Sequence, residues 1–129
     1  MIIAALLATS LLFGGMMLYS FGFAAFLFTA LPPDVAGTAL RRAFPHFYLF
    51  VMGSAAVSAA LVWPSDELSA AILGVIALST WPTRQILMPA INAATDSGAK
   101  ARFKLLHGLS VAISLGHIIL AGIVLARFV

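Results

Sequence analysis

The sequence predicts an all-α integral membrane protein: a four-helix bundle with a short cytoplasmic interfacial helix between its first and second spans. Three observations predict it. Hydrophobic residues make up 63% of the 129 and charged residues 9%, against roughly 45–50% apolar content in a soluble domain. The apolar residues fall into four blocks, each near the ~20 residues that cross a bilayer. Within the blocks they run continuously, whereas a transmembrane β-barrel would alternate apolar and polar residues over segments of about ten. One domain, 1–129, is expected, with spans at 2–31, 45–63, 68–92 and 103–128.

The first span carries no charge until Pro32-Pro33 stops it. Met1 to Ala5 holds no basic residue, so the segment reads as a retained helix rather than a cleaved leader. Gly15 and Gly22 stand one heptad apart and share a face suited to a close helix contact. Pro33 and Asp34 then resemble a helix first turn, proline at N1 and an acid at the positive end of the dipole. This short helix is expected to reach Ala43 along the headgroups, with Pro45 opening the second span and Phe44, Phe47 and Tyr48 forming an interfacial belt.

Span two is rich in small residues and ends at Trp63-Pro64-Ser65-Asp66-Glu67. From Leu68 to Trp81 span three supplies only about 21 Å at 1.5 Å per residue, short of a ~30 Å core. The helix must therefore continue through Pro82 to about Asn92, with Arg84 snorkelling or paired inside. Span four is long enough to cross with tilt. In it His107, Ser110, Ser114 and His117 fall within an arc of roughly 80°. Gly108, Ala112 and Gly116 repeat on nearly the opposite face, a pattern that admits another helix backbone.

Orientation follows from charge. Arg41, Arg42, Arg84, Lys100, Arg102 and Lys104 gather on one side and Arg127 stands alone on the other. The positive-inside rule places both termini of this multi-pass chain outside and the two long connections in the cytoplasm. The formal charge of +3 is explained by these flanks, and nucleic acid is not an expected partner. The expected partners are the lipid bilayer, another copy of the chain, or a larger membrane complex. With zero cysteines, disulfides, thiolate nucleophiles and thiolate metal ligands are excluded.

Gly14-Gly15-Met16, Leu31-Pro32, Leu40-Arg41-Arg42-Ala43-Phe44-Pro45-His46-Phe47-Tyr48, Met88-Pro89-Ala90-Ile91-Asn92 and Phe103-Lys104-Leu105-Leu106-His107-Gly108-Leu109-Ser110 follow one another in order. In these motifs the chain resembles the small bacterial membrane proteins of unknown function that share a domain with eukaryotic transmembrane protein 205. That resemblance implies a four-helix membrane domain and no particular chemistry. More distantly, the plan is similar to four-helix copper-resistance and haem-biosynthesis membrane proteins. Those carry a histidine in the first span, and this chain has none before Pro45.

His46 and His107 both lie near the cytoplasmic ends of their spans, so a haem or a transition metal between them is one reading. Interfacial hydrogen bonding is the other, favoured because no carboxylate or cysteine in the spans completes a metal shell. His117 sits deep in its span, where an ionisable residue is a functional candidate by default. A bond from it to Ser20, Ser54 or Ser58 would instead make it a structural bridge. Arg41, Arg42, Lys100, Arg102 and Lys104 form a rim able to hold anionic lipid headgroups. Asn92, Thr95, Asp96 and Gly98 read as a solvated turn, since Walker spacing is missing, and no Gly-x-Ser-x-Gly nucleophile motif occurs. The expectation is a non-enzymatic interaction, accessory or small-ligand-binding protein. The alternatives are a haem- or metal-binding redox protein using His46 and His107, and an oligomeric small transporter.

Overall fold

The computed structural model describes residues 1–129, and every regular element in it is helical. Helix α1 (Ile2–Ala30) contains a π-helical turn over Leu18–Phe23. It stops because Leu31, which precedes a proline, is driven to an extended backbone. Helix α2 (Pro33–Val62) starts with proline in its first turn and Asp34 beside it. Helix α3 (Glu67–Pro82) is capped by Asp66, whose carboxylate accepts the Ser69 amide at 3.1 Å. A second π-helical turn, Thr83–Leu87, joins it to α4 (Met88–Asp96). Gly98, at φ +70°, then closes the helix: Ala99 N–H reaches the Ala94 carbonyl and Gly98 N–H that of Thr95. This paired pattern needs the left-handed backbone that glycine supplies. Helix α5 (Lys100–Ala126) completes the chain.

Three of these helices, Ile2–Ala30, Pro33–Val62 and Lys100–Ala126, are long and apolar enough to cross a membrane. The stretch from Glu67 to Asp96 is not among them, because Pro82, Thr83, Arg84 and Gln85 dilute its middle. Only 24 of 129 residues are buried, so in a chain this apolar most hydrophobic side chains face outward. An outer surface covered by leucine, isoleucine and phenylalanine suits hydrocarbon and not water.

The expected separate interfacial helix is not present. Residues 33–62 form one unbroken helix of 30 residues, about 45 Å long. Pro45 removes only its own N–H bond to the Arg41 carbonyl, and contacts on both sides hold the helix through that point. Arg84 Nε donates to the Pro45 carbonyl at 3.1 Å, while the Phe44 and Phe47 rings are gripped by Tyr19.

The helix contacts close a ring. α1 packs on α2 and α5, α3 packs on α2 and α5, and α4 packs on α5. Leu12, Met16, Phe47, Val51, Leu73 and Ile76 lie inside it. Each end is tied by one bidentate ion pair. Arg127 reaches both carboxylate oxygens of Asp66 at 2.9 Å and also Ser69 Oγ at 3.0 Å. Arg41 meets Asp96 at 2.7 and 2.8 Å. Arg127 and the Ser69 groups hold the Asp66 carboxyl well below the usual carboxylate range, and Arg41 lowers that of Asp96. A lowered folded-state pKa adds stability above the ordinary carboxylate range and loses it on acidification. Both pairs are solvent-exposed and their contribution is small.

Candidate functional site

The irregular backbone of the molecule converges on one short segment, Phe44-Pro45-His46-Phe47 of α2. On one side lies the π turn of α1. Tyr19 from that turn stacks on Phe47 at 4.6 Å and 9° and meets Phe44 edge-on at 5.7 Å. On the other side lies the second π turn, which supplies Arg84 to the Pro45 carbonyl and to Gln85 Oε1 at 2.7 Å. A π turn inserts one residue into a helix and swings the following side chains round. Here the insertions carry Tyr19 and Arg84, the two groups that bracket Pro45.

Between α1 and α2 the same segment opens onto a lateral groove of about 720 Å³. Leu18, Gly22, Phe23 and Phe26 form one wall, and His46 and Phe50 stand on the other. It runs from Leu11 to Phe26, about 22 Å along the helix axis. At Gly22 a Cβ would meet only Leu18 of its own helix, at 3.2 Å, so missing side-chain volume forms the floor there. At Gly15 a Cβ would lie 2.5 Å from the Phe50 ring, so that ring seals the deeper end. His46 is exposed and is the one basic side chain in the lining. A second groove of about 620 Å³, between α2 and α3 around Ala60, Ala71 and Gly74, has no ionisable side chain.

The structure separates His46 from His107. His46 lines the α1–α2 groove, whereas His107 is exposed on α5 with its ring stacked on Phe103 at 5.3 Å. Helices α2 and α5 are not a packed pair. No three His, Cys, Asp or Glu side chains gather as a metal-binding group. Of the polar face on α5, Ser110 and His117 are buried, Ser114 is half-buried and His107 faces outward. Ser110 Oγ bonds back to the His107 carbonyl at 2.7 Å.

His117 Nε2 lies 2.8 Å from Ser79 Oγ on α3. The partner is therefore none of the three serines expected from the sequence. Ser54 bonds the Phe50 carbonyl of its own helix, and the buried hydroxyls of Ser20 and Ser58 make no hydrogen bond. His117→Leu and Ser79→Ala are each expected to lower the unfolding free energy by about 0.6–2 kcal/mol, the range for interhelical bonds in membranes. Since both remove one bond, the double variant should lose little more than either single variant. Fully additive losses in a detergent unfolding titration would show that the two side chains act independently.

Among the basic residues, Arg41 is engaged with Asp96, while Arg42, Lys100, Arg102 and Lys104 make no ion pair. The glycines differ as well. Gly15 is covered by Phe50, and Gly122 lies against Phe13, 3.4 Å from where its Cβ would be. Gly108 and Gly116 have nothing within 4 Å of that point, and Ala112 is exposed. Any contact made by the Gly108, Ala112 and Gly116 stripe is therefore with something outside this chain. Gly122 carries no motif around it, and only the helix azimuth identifies it as a packing residue.

No curated protein and no solved structure matches the chain. A family match does cover residues 7–100, which takes in both π turns, Pro45, the groove and Arg84 and ends where α5 begins. Over that length the chain belongs to the family defined by a domain of unknown function, DUF4149.

Proposed function

We propose that this chain is a small, non-enzymatic accessory protein of the bacterial inner membrane that holds the hydrocarbon part of a membrane molecule in the α1–α2 groove. The observation that carries this reading is the groove itself, open to the side, floored at Gly22 and walled by Phe23, Phe26 and Phe50. Concave apolar sites with few polar groups are the usual form of a small-ligand site. The resemblance to proteins sharing a domain with transmembrane protein 205 agrees with a membrane role and adds no reaction. In this reading the stretch from Glu67 to Asp96 is the fourth crossing, its Arg84 satisfied by Pro45, and the ring of helices is a four-helix bundle.

The test is photocrosslinking in nanodiscs of neutral lipid carrying a photoactivatable acyl chain. Adducts are expected to concentrate on peptides containing Leu18, Phe23 and Phe50 and to fall several-fold in Gly22→Leu, which fills the floor. Uniform labelling of all outward-facing helices would overturn the reading.

In this reading both termini are outside, because six of the seven basic residues lie toward the end formed by Leu31–Pro33 and Ser97–Lys100. Cysteines introduced at Thr38 and Ser97 should resist a membrane-impermeant thiol reagent in intact cells and react after lysis. Labelling before lysis would reverse the orientation.

A further inference from the structure

Resting on the reading of the groove as a chain-binding site, we propose that its occupant is an anionic phospholipid, with one acyl chain along α1 and α2 and its phosphate held by Arg42 and His46. His46 is the one basic side chain in the lining of the groove, opposite the Tyr19–Phe23 turn and next to the Phe47 ring that stacks on Tyr19, and Arg42 precedes it by four residues. Residues so spaced share one helix face, and side chains in a helix lean toward its N-terminus, here toward the end of the molecule formed by Leu31–Pro33. Arg42 thus continues the line that Phe50 and His46 begin.

The neighbouring cations are used differently. Arg41 is held by both Asp96 oxygens and Arg84 by Pro45 and Gln85. Arg42 is exposed and makes neither a hydrogen bond nor an ion pair. A guanidinium with free donors fits a phosphate diester bidentately, and an imidazole adds one more donor. Lys100, Arg102 and Lys104 stand on α5, which contributes no residue to the lining of this groove; they add to the field without forming the site. Opposite charge at the head and, for the tail, the stretch of groove that runs from the Tyr19–Phe23 turn to Leu11 together describe a lipid with a net negative headgroup. A zwitterionic lipid of the same chain length has the tail and the phosphate, but its own cation competes with Arg42.

The experiment uses the full chain in detergent, with phosphatidylglycerol and phosphatidylcholine of identical acyl chains, and counts bound lipid by native mass spectrometry. Wild type is expected to prefer phosphatidylglycerol by roughly five- to tenfold, the scale of one cation at a membrane surface. Arg42→Gln should bring phosphatidylglycerol down to the phosphatidylcholine level and leave the latter unchanged. Gly22→Leu should weaken both lipids alike. Equal binding of the two by wild type, or a preference that survives Arg42→Gln, overturns headgroup selection and leaves chain binding standing. Full lipid binding by Gly22→Leu, or a lipid-free dimer whose formation that variant abolishes, overturns the groove as a lipid site altogether.

Discussion

Phe47→Ala is expected to destabilise the protein by about 2–4 kcal/mol, most of it through packing. Phe47 is 4% exposed and touches Tyr19, Phe44 and Tyr48 by ring contacts. In a bilayer the helices are not driven together by water, so what the substitution removes is van der Waals contact and aromatic geometry. Deleting roughly 100 Å³ at ~24 cal/mol per Å³ of residual cavity gives about 2.4 kcal/mol, and the lost ring pairs add roughly 0.5–1.5 kcal/mol. Phe26 is 62% exposed, and the same substitution there should cost less than about 0.5 kcal/mol. Unfolding titrations of the two variants in detergent would decide it, and similar losses at both sites would show that the Tyr19–Phe47 stack does not organise this level. Tyr19 and Phe47 also line the groove, so Phe47→Ala should weaken lipid crosslinking as well.

The helical class was legible because composition leaves one choice. A chain with this little charge cannot leave its backbone groups unpaired in hydrocarbon, and continuous apolar runs pair them within helices. The breaks stand where local chemistry marks them: two prolines after Leu31, an acidic cap at Asp66 and a glycine at position 98. Pro45 carries the same local signal as Pro32 and has a different outcome. Its cost is met by Tyr19 and Arg84, which lie 26 and 39 residues away in the chain, so no local reading of the sequence could weigh it.

The site was legible in part for the same reason. His46 could be named from its type and its place at a span end, but the other side of its groove is formed by Leu18, Tyr19, Gly22 and Phe23 of a π turn. Nothing in Leu18-Tyr19-Ser20-Phe21-Gly22-Phe23 distinguishes an i→i+5 turn from an ordinary one. Ser79 carries no mark of its own in the sequence, because choosing among serines for His117 requires knowing which helix presents its hydroxyl to that ring. Arg41 was assigned to lipid with its neighbours because its partner, Asp96, lies 55 residues downstream. Charge type alone groups Arg41 with the other basic residues, whereas the pairing depends on the start of α2 and the end of α4 being brought together.

Two adjacent glycines should respond to the same substitution with opposite sign. A Cβ on Gly15 would sit 2.5 and 2.6 Å from the Phe50 ring atoms Cε1 and Cζ, closer than carbon atoms approach. Phe50 is itself packed against the core, so its ring must turn into the groove or push α1 and α2 apart. Gly15→Ala is therefore expected to cost about 1–3 kcal/mol, the range for overpacking a filled contact, and Gly15→Leu more. At Gly14 nothing lies within 4 Å of the corresponding point. There, Gly14→Ala meets no neighbour and gains helix propensity, so its effect should be neutral to favourable by up to about 1 kcal/mol. A second substitution isolates the cause. On a Phe50→Leu background the obstructing ring is gone, and Gly15→Ala should then cost less than half as much. Thermal unfolding of the five variants in one detergent would read all of this. A loss at Gly15 that persists undiminished without the Phe50 ring would place its origin in the backbone of the neighbouring π turn and not in the α1–α2 contact.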